Sequence, residues 1–239
     1  MSYIENPKTK DSGLICCIPQ SGTCPVGCAD CFFQSGRSYL EPLEENVPNM
    51  PPLADTVGRV VRVNDGNDSH NDQAAVIAAC AGYADKFYNT SVAKDLAAYD
   101  APVILTLNPA AMTDTSWHRV EDEASLDQLM AVRFRLNTWN LHLALEAVDY
   151  YEPLDIALFM TFMRYHEKDS VPSDQRHSYE YATATLNPYW KMEIPTVRRM
   201  IKVFDQHPRV YICGENGRTL CKNCGNCLRE YNRWKEAHA

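Results

Sequence analysis

Short β-branched apolar runs alternate along the chain with stretches whose apolar residues recur every three or four positions. That pattern predicts a parallel sheet built from βαβ units. The runs fall at 13–18, 57–64, 86–90, 102–107, 130–137, 155–163 and 209–213. Between them Val76, Ala79, Cys80 and Tyr83 make one helical stripe. Leu141, Ala144, Leu145 and Val148 make a second, and Val197, Met200, Ile201 and Phe204 a third. Pro195 suits the first turn of that third helix, where its missing N–H costs nothing. Polar residues follow the runs: Asn64-Asp65-Gly66-Asn67-Asp68-Ser69, Asn89-Thr90-Ser91, Asn108-Pro109, Asn137-Thr138-Trp139-Asn140, Arg164-Tyr165-His166 and Cys213-Gly214-Glu215. Each alone reads as a turn or a helix cap. Gathered at successive carboxyl ends, they mark where α/β barrels and open α/β sheets keep their sites.

One run carries charges that a fully buried strand should not. In Val132-Arg133-Phe134-Arg135-Leu136-Asn137, alternation puts Val132, Phe134 and Leu136 on one face and Arg133, Arg135 and Asn137 on the other. With the apolar face on the helices, both arginines point into the barrel and need anionic partners. A ligand carboxylate would serve, and so would Asp65 or Asp68.

Composition narrows the class. A chain of 239 residues, 45% hydrophobic and 23% charged, can bury a full core as one α/β domain. A net charge of −8 argues against a broad grip on duplex nucleic acid, although lysines and arginines gather at 198–202 and 218–235. There is no cationic leader with an apolar run behind it, and no stretch nears the ~20 apolar residues of a membrane span. A soluble chain in the reducing cytoplasm, away from membranes, is the expectation.

Ten cysteines are many for such a compartment, and they cluster: five lie between residues 16 and 31 and four between 213 and 227. Intervals of two and three residues suit a metal better than a disulfide framework, because neighbouring thiolates must converge on one centre. The first group, Thr-Cys-Pro-Val-Gly-Cys-Ala-Asp-Cys-Phe-Phe at 23–33, places Cys24, Cys28 and Cys31 in a C-x3-C-x2-C spacing with no obvious fourth ligand. A site one ligand short keeps an open metal position.

This spacing resembles the signature of the radical S-adenosylmethionine (radical SAM) enzymes. The resemblance implies a partial or full (β/α) barrel over 1–212 with the cysteine loop after the first strand. It also implies a [4Fe-4S] cluster on Cys24, Cys28 and Cys31, with S-adenosylmethionine lying across the strand ends. The family usually has an aromatic just before the third cysteine; here Asp30 stands there and Phe32 and Phe33 follow, so the adenine contact carries to Phe32. The family's glycine- and acid-containing motif after the second strand falls on Asn64, Asp65 and Asp68. Groups for the cosubstrate carboxylate or ribose fall on Arg133, Arg135 and Asn137. A one-electron donor of flavodoxin or ferredoxin type is implied as a partner.

The second group, Cys213-x7-Cys221-x2-Cys224-x2-Cys227, offers four thiolates and a closed shell. It resembles the auxiliary [4Fe-4S] motifs that follow some radical SAM barrels, and it makes 213–239 a short C-terminal extension. Its expected roles are electron relay or fastening the tail across the barrel mouth. A structural four-cysteine zinc site is the other reading. Cys80 lies on an apolar stripe and reads as a buried inert thiol; Cys16 and Cys17 fall within the first strand.

Segment 165–191 holds Tyr165, His166, His177, Tyr179, Tyr181, Tyr189 and Trp190 with Arg176, and Arg164 just before it. It is long for a barrel connection, and reads either as a substrate-covering loop able to stack a nucleobase or as rings packed over the barrel end. Segment 41–53, with four prolines, reads as an extended connection. No deaminase-type His-x-Glu motif, phosphate-binding Gly-x4-Gly-Lys loop or Gly-x-Gly-x2-Gly is present. The leading expectation is a radical SAM enzyme with two [4Fe-4S] clusters acting on a small molecule, nucleoside or modified nucleobase, including a base within nucleic acid. A peptide-modifying radical enzyme and a non-catalytic zinc or iron–sulfur module are the alternatives.

Overall fold

The computed structural model describes residues 2–28, 31, 48–108, 119–183, 188–214 and 220–239. Six strands come first in the chain: β1 (Leu14–Cys17), β2 (Val60–Val63), β3 (Lys86–Thr90), β4 (Val103–Leu107), β5 (Leu129–Leu136) and β6 (Ala157–Phe162). Three short ones follow, β7 (Arg164–Tyr165), β8 (Tyr179–Ala182) and β9 (Tyr189–Met192), and then β10 (Val210–Ile212). The helices are α1 (Gln73–Cys80), α2 (Glu123–Asp127), α3 (Leu141–Tyr151), α4 (Ile194–Val203), α5 (Cys221–Cys224) and α6 (Asn226–Ala237).

All seven apolar runs are strands of one parallel sheet, ordered β1-β2-β3-β4-β5-β6-β10 and curled into a half-barrel. Spatial order follows chain order, so each crossover returns beside the strand it left. Among the described residues the connections carry short helices rather than a full outer ring, and β1 and β10 are the edges of the sheet. No helix among the described residues is long and apolar enough to cross a membrane.

The sheet buries both faces, which explains runs without clean alternation. Its outer face joins Val61, Tyr88, Leu105, Val132, Phe134 and Met160 to apolar residues of α1, α3 and α4. Cys80 is fully buried there, as its place on the α1 stripe predicts. Pro195 sits in the first turn of α4. Asp122 caps α2 by accepting from the Ser125 amide at 2.8 Å.

The inner face is covered by the tail. Phe87, Ile104, Ala131 and Phe159 pack against Cys227 and Tyr231 of α6, with Leu228 and Trp234 at the margin. The far end of α6 is tied to residues that precede strands. Tyr231 and Lys235 bond Asp85, Trp234 donates to the Asp127 carbonyl at 2.8 Å, and Arg233 pairs with Asp155. The helix therefore runs down the concave face to the amino-terminal ends of the strands, away from the mouth. Gly13 permits this approach. Its φ is +73°, and a Cβ there would lie 3.0 Å from Leu228 Cδ2.

Segment 165–191, which reads from sequence as a covering loop or as rings packed over the barrel end, contributes a second sheet, in which β7, β9 and β8 pair antiparallel in that order. The reading of its rings as packed over the barrel end holds for two of them. Tyr165 and Tyr179 are buried against Trp139, with the Trp139–Tyr165 rings stacked at 5.3 Å. Tyr181, Tyr189 and Trp190 stay half-exposed. Phe32, Phe33 and most of the 41–53 connection lie outside the described residues.

Candidate functional site

The cysteine loop leaves the carboxyl end of β1 and is pinned to the connection after β2. The Gln20 amide donates to the carbonyls of Asp68 at 2.8 Å and Asn71 at 3.0 Å, and accepts from Asn64 at 2.6 Å. Beyond this anchor Cys24, Cys28 and Cys31 are half-buried. Burial pushes the Cys24 thiol up to about 11; the Val26 amide opposes this, while Asp68, Cys28 and Cys31 add to it. Burial also raises Cys28, against a hydrogen bond from Asn108 and the pull of Arg135, with Cys31 and Asp68 again adding. The three thiols thus share one neighbourhood with Asn108 at the end of β4 and Arg135 on β5. Cys24 and Cys28, buried and crowded by like charge, resist ionising, and a bound cation would remove that resistance by taking the thiolates itself.

The residues assigned to the cosubstrate by resemblance divide into three groups. Asp65 is buried and bonded to Arg62 of β2 and to Asn6. Burial works against its charge, but Arg62, Lys8 and Asn6 outweigh it and hold the carboxyl below the usual range. Asp68 accepts from Thr90 Oγ1 (2.6 Å), the Ser91 amide and hydroxyl (2.7 Å each) and the His70 amide (2.9 Å). Asn64 serves Gln20, the Gly66 carbonyl and Ser69. These three tie the loops of the mouth together.

Asn137 is fully buried. Its amide donates to Tyr165 Oη at 2.7 Å, and its oxygen accepts from the Trp139 and Asn140 amides. It closes the turn into α3 beneath the small sheet. Arg133 and Arg135 lie on the opposite face of β5 from Val132, Phe134 and Leu136, as alternation predicts. Arg135 acts on Cys28. Arg133 reaches Asn89 Oδ1 at 3.0 Å, Thr106 Oγ1 at 3.4 Å and Cys227 Sγ at 3.8 Å, and so meets neither Asp65 nor Asp68.

The second cysteine group gathers inside the half-barrel. Cys213 follows β10, Cys221 and Cys224 bound α5, and Cys227 opens α6. Gly225, at φ +60°, makes the reversal between the two helices. Asn226 donates to the Ile212 carbonyl at 3.0 Å, and the Cys221 amide donates to the Lys8 carbonyl at 2.9 Å. Cys213 and Cys224 share a hydrogen bond that pulls the Cys224 thiol down, helped by the Asn226 and Gly214 amides, and pushes Cys213 up. Burial raises the Cys221 thiol against the pull of Arg62, with Cys227 and Cys224 adding to it. Arg62 Nη1 lies 3.7 Å from Cys221 Sγ, so two guanidiniums of the inner wall face four thiols.

Arg62 and Gln20 were not singled out from sequence. Arg62 had a signal, as the lone charge inside Val60-Val61-Arg62-Val63. Gln20 had none, since one glutamine in a polar loop is ordinary. Among the described residues, no group of three His, Cys, Asp or Glu side chains is arranged to hold a metal ion as it stands. The fit lies in the donors: two sets of soft thiols, each answered by guanidinium and amide groups, suit iron–sulfur or zinc chemistry.

On the mouth side, β7 continues from β6 and carries the small sheet. There the Arg164 guanidinium lies 5.1 Å from the centre of the Tyr189 ring, and that of Arg176 5.8 Å from Trp190. Tyr181 lies 4.9 Å from Trp190, centre to centre. No family model, curated protein or solved structure matches the chain.

Proposed function

We propose that the chain is a radical SAM enzyme, with a [4Fe-4S] cluster on Cys24, Cys28 and Cys31 and a second on Cys213, Cys221, Cys224 and Cys227. One observation carries the reading: a loop of three cysteines, with no fourth in it, follows the first strand of a parallel half-barrel, at the end where the polar strand termini gather, and Cys24 and Cys28 feel the charges of their neighbours there. Bound and reduced, the first cluster would supply one electron to S-adenosylmethionine, whose S–C5′ bond would break to leave methionine and a 5′-deoxyadenosyl radical able to take hydrogen from the substrate.

The chain's own part is positioning. Gln20 fixes the loop to the mouth, Asn108 and Arg135 orient Cys28, and the Asp68 network holds the ends of β2 and β3. Of the residues that the resemblance gives to the cosubstrate, Arg135 and Asp68 lie beside the cysteine loop. The half-exposed rings of Tyr181, Tyr189 and Trp190, with Arg164 and Arg176 over them, favour a planar substrate such as a nucleoside or nucleobase. A flavodoxin- or ferredoxin-type protein would supply the electron.

Anaerobic reconstitution with iron and sulfide, then dithionite and S-adenosylmethionine, tests the reading. About eight irons per chain and release of 5′-deoxyadenosine are expected. Cys28→Ala should abolish cleavage, whereas Cys224→Ala should leave cleavage without substrate in place. A zinc-only protein, or no cleavage after reduction, overturns the assignment and leaves a non-catalytic metal module.

A further inference from the structure

Arg133 is a half-buried cation on the inner wall, and its protein partners are neutral. Asn89 and Thr106 accept from it, and among the described residues no carboxylate pairs with it. Asp65, the nearest candidate by strand order, is occupied by Arg62 and Asn6. A guanidinium taken from water without a counter-charge is costly. The remaining partner of Arg133 is Cys227 Sγ at 3.8 Å, and its charge also acts on Cys213. Four thiolates around a metal–sulfur core leave a net negative body, and such a body would supply the missing anion.

We propose that Arg133 is the counter-cation of the metal–thiolate centre held by Cys213, Cys221, Cys224 and Cys227, and that it sets the centre's reduction potential. The inference rests on reading those cysteines as cluster ligands. Arg62 contributes less, because Asp65 shares its guanidinium. Adding an electron makes the centre more negative, so a guanidinium against one of its sulfurs favours the reduced state. Arg133 is a positioning and tuning residue here: it touches a ligand sulfur and no reacting atom. Two residues farther along β5, Arg135 faces the mouth loop, so one strand sends one cation to each cysteine group.

The test uses the full chain with Cys24, Cys28 and Cys31 all changed to Ala, so that only the inner centre is loaded. After reconstitution, iron and sulfide are counted and the midpoint potential is read by titration under paramagnetic resonance. Arg133→Gln keeps hydrogen bonding without charge and should lower the reduced-to-oxidised ratio at a fixed potential about tenfold, about 59 mV for a one-electron couple. Arg133→Lys keeps the charge but not the planar fork, and should lower it about threefold; it gives the reading if the Gln variant does not fold. A purely structural role would change iron content and melting temperature without moving the potential. Iron retained with an unchanged potential in either variant overturns the role of Arg133 alone. No iron–sulfur chromophore in the triple-alanine chain overturns the cluster reading, and this inference with it.

Discussion

The two cysteine groups lie at one half-barrel and differ in what surrounds them. The loop group sits at the carboxyl ends of the strands, half-buried, and its neighbours are an amide, Arg135 and the polar Asp68 network. The C-terminal group sits within the concave face, with Cys227 buried and two arginines of the wall against its sulfurs. On the proposed reading, three ligands in a loop at a mouth would leave room for a cosubstrate to complete the coordination. Four ligands enclosed by a sheet and a helix would not. Position in the fold would then separate a centre suited to chemistry from one suited to holding the tail and passing or storing charge.

The sharpest way to break this contrast without touching a cysteine is Arg62→Ala. Arg62 and Asp65 are buried together, their side chains only 11% and 7% exposed. Removing one partner leaves an unpaired buried charge, so stability should fall by about 3–5 kcal/mol. The melting temperature should drop, and Cys221 and Cys227 should become faster to alkylate while Cys24, Cys28 and Cys31 keep their rate. Equal acceleration at both groups would mean that the wall does not distinguish them.

A smaller effect follows from the direction of the Asp65 shift. Its folded pKa is lowered, so the pair's stability is present above the unfolded carboxylate value of about 3.9 and is lost as pH falls through the lower folded value. Melting temperature measured from pH 5 downward should fall more steeply in the unmodified chain than in Asp65→Asn. Parallel curves would remove Asp65 as the anchor of the inner wall.

The architecture was legible because parallel strands covered on both faces must be apolar throughout. The seven runs stood out against their polar ends, and each contains its strand to within a residue. The candidate site was visible in the sequence where it depends on spacing along the chain, as with Cys24, Cys28 and Cys31. It was less so where partners meet through the fold. Asp65 reads as a ligand-binding acid from its place after β2, but Arg62, three residues before it, takes one of its oxygens and Asn6 the other. Asn137 reads as a barrel-facing amide, yet the turn into α3 uses it fully. The three short strands in 165–191 escaped because two to four residues are too few to show a period. The lodging of α6 against the inner face rests on contacts with strand starts more than 70 residues away in sequence, such as Tyr231 to Asp85 and Arg233 to Asp155.

On the proposed reading, the mouth centre alone is open to S-adenosylmethionine. Paramagnetic resonance of the reduced, reconstituted protein before and after adding S-adenosylmethionine tests it most directly. The spectrum of the unmodified chain should change on addition, and that of the chain with Cys24, Cys28 and Cys31 replaced by Ala should not. No change in the unmodified chain, or a change that survives the three replacements, would contradict the account.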